Sequence, residues 1–186
     1  MVEEVLKGCK DAGAKTEHIM VMDENLKDCL GCMKCFAYKD EIIGKCVHKD
    51  GIRELLKKII DADALIVACP IYWANMSSHL TKLMHRMTAL TYDKALDGGM
   101  KGAVVYKLKQ TKPGMFVTSM IVPFPLNYIM GEYRKFYGFL KNILKLSGFK
   151  STYVLNVGGS AGKTPIPERD KIKKKAFELG LKLAAG

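Results

Sequence analysis

A continuous apolar run, Ala64-Leu65-Ile66-Val67-Ala68-Cys69, constrains the fold of this chain more than any other segment. A strand without a polar side belongs in a sheet that is covered on both faces. An amphipathic helix is expected before it, running to about Ile60 with Asp50 as its N-cap. A second helix is expected after it, from Ser77 to about Leu90. The pattern predicts a parallel sheet between layers of helices.

The rest of the chain continues the alternation of helices and strands. Further helices are expected at Val2–Asp11, Asn127–Leu146 and Glu168–Leu183, and further strands at Thr16–Met22, Lys101–Leu108 and Ser151–Val157. Strands separated by helices predict right-handed crossovers and a doubly wound, three-layer α/β/α sheet. At this length we expect a single domain spanning residues 1–186.

Composition narrows the classes of function. The net charge of +11 favours anionic partners such as phosphorylated cofactors. Because no basic stripe is interleaved with aromatics, nucleic acid is not an expected partner. The uncharged stretch 113–131 contains Pro123 and Pro125, which would break a membrane-spanning helix, so we expect no membrane association. We interpret this stretch as a buried loop, a lid or a subunit contact. Six cysteines without a visible secretory signal favour the cytoplasm.

Four of these cysteines lie in one loop: Cys29, Cys32, Cys35 and Cys46. The first three have the spacing of iron–sulfur ligands, and Cys46 follows after ten intervening residues as a candidate fourth ligand of a [4Fe–4S] cluster. Zinc bound by four thiolates, with His48 able to replace one of them, is an alternative. A loop of ordinary thiols without a metal is another. Cys9 and Cys69 are expected to be buried small residues.

A second candidate site follows the apolar run, at Pro70-Ile71-Tyr72-Trp73-Ala74-Asn75-Met76. Ligands of open parallel sheets bind beyond the carboxyl ends of the strands. A flat cofactor could stack there on Tyr72 or Trp73, next to the free amides of the helix that begins at Ser77. Alternatively, the two aromatic rings only cover the core.

The segment from Cys29 to Arg86 resembles the NADPH-dependent FMN reductase and iron–sulfur flavoprotein family, which has a flavodoxin-like fold. The matching motifs are Cys46-Val47-His48-Lys49-Asp50, Asp61-Ala62-Asp63, Cys69-Pro70-Ile71-Tyr72-Trp73, and then Ser77, Lys82 and Arg86. The resemblance implies FMN with its isoalloxazine ring against the 70–76 loop. The implied cofactor-binding residues are Pro70, Ile71, Tyr72, Trp73, Asn75 and Ser77.

The resemblance also implies an oxidoreductase that uses NAD(P)H and transfers electrons to a small-molecule or protein acceptor. It further implies a homo-oligomer, a dimer or tetramer, for which we take 113–131 as the contact. No catalytic residue is assigned. A degenerate flavodoxin-like protein without flavin, acting as a non-enzymatic binding or assembly subunit, is the alternative.

Several features depart from the family pattern. Cys69 stands where serine or threonine is usual, His85 replaces the aspartate before Arg86 and so removes a family ion pair, and 106–112 lacks the glycine of a turn at the flavin edge. The first strand and the phosphate-binding loop are missing, because the sequence starts directly in a helix. Each backbone group left unpaired on a buried edge costs roughly 1–3 kcal/mol. We therefore expect that the neighbouring strands close up, that another strand or a partner subunit replaces the first one, or that the sequence is a truncated form.

The run Val157 to Thr164 ends in Gly-Lys-Thr after a strand, as a phosphate-binding P-loop does. That motif requires glycine at 157, where valine stands. Pro165 and Pro167 also interrupt the helix that should follow. We interpret the run as a glycine-rich turn over the carboxyl edge of the sheet.

Overall fold

The computed structural model describes residues 1–123, 126–129, 132–159 and 169–186. The helices are α1 (Val2–Asp11), α2 (Ile52–Asp61), α3 (Ser78–Arg86), α4 (Leu126–Ile129), α5 (Glu132–Leu146) and α6 (Arg169–Ala184). The strands are β1 (Leu65–Pro70), β2 (Thr91–Asp93), β3 (Val104–Tyr106), β4 (Lys112–Ser119) and β5 (Phe149–Val157). The predicted helices at 2–11 and 168–183 and the strands at 64–69 and 151–157 are confirmed to within two residues.

The main sheet has the order β1-β4-β5, and both of its strand pairs are parallel. Strand β4 is the central strand, and Met115, Phe116 and Val117 are buried. Our interpretation of 113–131 as a loop, lid or contact is therefore wrong for its first part. The strand was missed because Pro113 and Gly114, its second and third residues, are typical of loops, although proline is tolerated near the start of a strand.

The predicted strand at Lys101–Leu108 is shorter than expected and lies elsewhere. Only Val104–Tyr106 is extended, and it pairs antiparallel with β2 in a separate two-stranded sheet. The antiparallel partner lies only eleven residues earlier, so the segment forms a local hairpin and does not extend the parallel sheet.

The predicted strand Thr16–Met22 does not form. Residues 14–20 have no regular structure, and Val21–Glu24 is a short 3₁₀ helix. A strand needs a hydrogen-bonded neighbour, and within the described ranges β1 pairs with β4 along one edge only. Ile19 and Val21 nevertheless pack against the core. These side-chain contacts, and not a β-ladder, hold the segment in place.

Helices cover both faces of the sheet. On one face α1 and α6 pack together, and Val5 and Leu183 meet Met115 and Leu155. The contact between these helices is very close, because a Cβ on Gly180 would lie 2.1 Å from the Val5 carbonyl oxygen. On the other face α2, α3 and α5 bury residues that include Leu56, Leu83, Phe116 and Phe136.

Two helix boundaries differ from the predictions. Gly51, not Asp50, is the N-cap of α2, although the Asp50 carboxylate still interacts with the amide of Ile52, the first residue of the helix. Helix α3 ends at Arg86, and Met87–Leu90 continues as a 3₁₀ helix. The P-loop-like run lies mostly outside the described residues, as does part of the predicted helix 127–146. None of the helices described is long and apolar enough to cross a membrane.

Candidate functional site

The segment after β1 forms a tight turn at the carboxyl edge of the sheet. The backbones of Tyr72 and Asn75 exchange two hydrogen bonds, of 3.0 and 2.8 Å. Trp73 and Ala74 between them have φ values of +50° and +55°. Two consecutive left-handed residues are the geometry of a type I′ turn, which normally contains asparagine or glycine. A tryptophan held there costs on the order of 1 kcal/mol in backbone strain.

The aromatic side chains of this turn point into solvent. Trp73 is fully exposed and Tyr72 is 57% exposed, whereas Ile71 and Met76 on either side are buried. The alternative that both rings only cover the core is therefore wrong. A strained turn that presents a bare indole beyond a strand end is suited to stacking on a flat ligand.

The predicted ligand-binding residues lie together around this turn. Pro70 ends β1, Ile71 donates its amide to the Ser119 carbonyl of β4 at 2.8 Å, and Ser77 is the N-cap of α3. The Ser77 hydroxyl makes no capping bond to α3. The side-chain oxygen of Asn75 accepts the Met76 amide at 2.8 Å, which fixes the side chain against the turn.

The four loop cysteines line one cleft of about 320 Å³, together with Met33, His48, His85, Arg86 and Thr88. The ten-residue connection from Cys35 thus brings Cys46 back beside the other three. Cys29 and Cys32 are exposed, and Cys35 and Cys46 are half-buried. Burial, together with the charges of the other three cysteines, raises the pKa of the Cys35 thiol.

A glycine holds this loop in shape. A Cβ on Gly44 would lie 2.1 Å from the Cys35 carbonyl oxygen, and the Gly44 amide donates to the Ala89 carbonyl at 2.7 Å. The end of the loop is therefore pressed against the short 3₁₀ helix Lys34–Ala37 that contains Cys35. No larger residue fits at position 44 without moving that cysteine.

Helix α3 anchors the start of the loop. Lys82 and Arg86, four residues apart on one face, donate to the carbonyls of Leu26 and Lys27 at 3.2 and 2.6 Å. Arg86 also makes a two-pronged ion pair with Asp50, with N–O distances of 2.8 and 2.9 Å, and donates to Cys46 Sγ at 3.3 Å. Arg86 is thus ion-paired, through Asp50, although His85 stands in place of the expected aspartate.

This ion pair is buried, with side-chain exposures of 1% for Arg86 and 6% for Asp50. Hydrogen bonds from Arg86 and the Lys27 amide hold the pKa of Asp50 at about 2, against the cost of burial. Sequence analysis missed the contact of Arg86 with Asp50 and Cys46. The motif Cys46-x3-Asp50 and the matched Arg86 were the only signal for it in the sequence.

The loop provides four thiols around one cleft, as a [4Fe–4S] cluster requires. In the ranges described, no three His, Cys, Asp or Glu side chains converge to hold one metal ion. Zinc needs such convergence, with Zn–S distances of about 2.3 Å. In a [4Fe–4S] cluster each thiolate binds a different iron, so the sulfurs need not converge on one point. His48 bonds the Asp28 carbonyl at 2.9 Å. Cys9 and Cys69 are buried, as predicted.

A parallel sheet with helices on both faces and a site at its carboxyl edge defines a flavodoxin-like α/β protein. The fold matches an FMN-dependent NADH-azoreductase of Bacillus anthracis solved with FMN, with TM-score 0.69, 14% identity and coverage of 98% of this chain and 89% of that one. It also matches an NAD(P)H:quinone oxidoreductase of Methanothermobacter marburgensis, with TM-score 0.67, 15% identity and coverage of 98% and 89%. At these identities the likeness shows the fold alone.

The family model for NADPH-dependent FMN reductase matches residues 1–122, and the chain belongs to that family. An iron–sulfur flavoprotein of Archaeoglobus fulgidus is 26% identical over 186 residues, 99% of this chain and 71% of that protein. An iron–sulfur flavoprotein of Methanocaldococcus jannaschii is 36% identical over 104 residues, 56% of this chain. That match spans 51% of the relative's length.

Proposed function

We propose that this protein is an FMN-dependent oxidoreductase that takes electrons from NAD(P)H and passes them to a small-molecule or protein acceptor. The exposed aromatic pair on the strained turn after β1 carries the proposal. The turn lies within the residues that match the NADPH-dependent FMN reductase family. The fold is also that of two oxidoreductases, of which one was solved with FMN.

The chain's own residues would bind and orient the flavin. Tyr72 and Trp73 would form a wall for the ring, and the side-chain nitrogen of Asn75 would donate to its edge because the oxygen is already engaged. Pro70 and Ile71 would set the turn against β4, and the α3 amides after Ser77 would face electron-rich atoms. Bound FMN would supply the redox chemistry of the site, the transfer of two electrons and a proton from NAD(P)H and of the electrons onward to the acceptor.

The cysteine loop would provide a second redox centre. Cys29, Cys32, Cys35 and Cys46 would hold a [4Fe–4S] cluster, as the name iron–sulfur flavoprotein of several relatives suggests. Zinc or unliganded thiols are the alternatives. Helix α3 begins at the aromatic turn and ends at Arg86 in the cysteine cleft, and its nine residues span about 13 Å.

The location and assembly of the protein are inferred from its surface and thiols. The described cysteines are free thiols, which fits the reducing cytoplasm. Beyond β4, Ile121, Leu126 and Ile129 are 64%, 50% and 74% exposed. This apolar surface supports a homo-oligomer, a dimer or tetramer, that uses the later part of 113–131 as its contact.

Anaerobic purification followed by absorption spectroscopy tests the proposal. Flavin bands in the blue and near-ultraviolet are expected, together with NAD(P)H oxidation when a quinone or dye acceptor is added. A protein that remains colourless after incubation with excess FMN would contradict the flavin assignment. A broad brown shoulder would report the cluster separately.

A flavin-free binding or assembly protein is the second candidate, and one observation favours it. The first turn of α1 carries Glu3 and Glu4, and acidic residues there oppose an anion such as the FMN phosphate. The same spectrum separates the two candidates, because this alternative predicts no flavin after incubation.

A further inference from the structure

The Arg86 guanidinium is fully enclosed, and its two Nη atoms donate four hydrogen bonds. Nη1 donates to the Lys27 carbonyl and to Asp50, and Nη2 donates to Asp50 and to Cys46 Sγ. The side chain is 1% exposed, so each N–H needs a protein acceptor. One of these acceptors is a sulfur of the cysteine cleft.

A neutral thiol is a weak acceptor for a guanidinium. A deprotonated, metal-bound sulfur is negatively charged, and a hydrogen bond from a cation to such an atom is roughly twice as strong as a neutral one. Cys29 also accepts a bond, from the Gly31 amide, but at 3.5 Å and without a formal charge. The four cysteines are therefore not equivalent, because Cys46 has a buried cation against its sulfur.

Asp50 fixes the direction in which that cation faces. Its two oxygens bind both Nη atoms, and its own position is set by the Lys27 amide at 2.9 Å. This pairing holds the guanidinium plane with Nη2 toward Cys46. Lysine cannot reproduce the arrangement, because an ammonium is a point charge without the planar fork.

We propose that Arg86 is a positioning residue for an iron–sulfur cluster on the four cysteines, orienting Cys46 and raising the reduction potential through its charged N–H···S bond. The proposal rests on the cluster assigned under the proposed function. Reduction adds negative charge to the cluster, so a donor cation on one sulfur stabilises the reduced form more than the oxidised form. Hydrogen bonds to the sulfurs and nearby charge are the terms by which proteins adjust such potentials.

The test uses the full chain, reconstituted anaerobically with ferrous iron and sulfide, as wild type, Arg86→Gln and Arg86→Lys. Iron and acid-labile sulfide per chain and the midpoint potential from a redox titration followed by electron paramagnetic resonance are measured. The matched control is Arg53→Gln. Arg53 donates to the Ile43 carbonyl of the same loop at 3.0 Å, but its side chain is 53% exposed.

For Arg86→Gln we expect the equilibrium constant for one-electron reduction to fall about tenfold, which is about 59 mV. Arg86→Lys should shift the potential by a smaller amount in the same direction, and Arg53→Gln should leave it unchanged. If Arg86→Gln does not fold, the shift in Arg86→Lys decides. Thermal unfolding of the metal-free variants identifies a purely structural role, which would lower stability and cluster content without moving the potential.

Equal potentials in wild type and the Arg86 variants would overturn the proposal, as would an equal shift in Arg53→Gln. So would a wild-type chain that takes up zinc but no iron and sulfide. FMN binding, followed separately through flavin fluorescence, distinguishes this failure from failure of the flavin assignment.

Discussion

Replacing Trp73 with alanine tests the flavin site most directly. The indole is fully exposed at the tip of the turn, so its removal leaves no cavity and should not destabilise the fold. Alanine also keeps a Cβ at the left-handed position, so the strain of the turn is retained. Stacking of a planar base on an aromatic side chain contributes about 1–3 kcal/mol. The dissociation constant for FMN should therefore rise by about 5- to 150-fold in Trp73→Ala.

Trp73 is the only tryptophan of the chain, so quenching of its fluorescence reports FMN binding in the wild type. Flavin fluorescence measures binding to both the wild type and Trp73→Ala. Phe139→Ala is the control, because that ring is also exposed, at 52%, but lies on α5. An FMN affinity for Trp73→Ala within twofold of wild type would refute the stacking role. If Phe139→Ala weakened FMN binding as much as Trp73→Ala does, the placement of the FMN site at the turn after β1 would be refuted.

The remaining predictions concern packing and charge. Gly44→Ala should push the Cys35 carbonyl away, because the new Cβ lies 2.1 Å from its oxygen; we expect about 1–3 kcal/mol lower stability in urea unfolding and less iron per chain after reconstitution. Gly180→Ala should lower stability by a similar amount, because its Cβ would push α1 away from α6. Gly138 has open space around it, so Gly138→Ala should stabilise α5 by about 0.5–1 kcal/mol. Equal unfolding midpoints for these two variants would contradict the packing argument. The pKa of Asp50 is about 2 in the folded protein, against 3.8 for an ordinary aspartate. The ionised Asp50 therefore stabilises the folded state above pH 4, and this stabilisation is lost as the pH falls toward 2. In Asp50→Asn, the free energy of unfolding in urea should depend less on pH between 4 and 2 than it does in the wild type. An unchanged pH dependence would contradict the role of the ion pair.

Elements with a strong local signal were predictable. The apolar run of β1 and the amphipathic patterns of α1 and α2 predict type and position, because burial of one strand or one helix face is encoded locally. Strand β4 was not predictable from its pattern, since Pro113 and Gly114 interrupt it. Its place between β1 and β5 depends on neighbours far away in sequence.

The candidate sites show the same division. The sequence predicts candidate sites at the turn after β1 and at the four cysteines, but it does not show whether Tyr72 and Trp73 face the core or solvent. That depends on the left-handed backbone at Trp73. Likewise, the spacing of Cys46 leaves its role open, and only the folded loop returns it to the cleft.

The sequence by itself determined the layered parallel architecture and the family, and it predicted the residues of both candidate sites, because periodicity and motif spacing are local properties. The tertiary structure alone decided the central position of β4, the absence of a strand at 16–22 within the described chain, and the buried contact between Asp50, Arg86 and Cys46. These features depend on which distant segments meet. A buried charge or an unpaired strand is stable only where the folded chain supplies its partner.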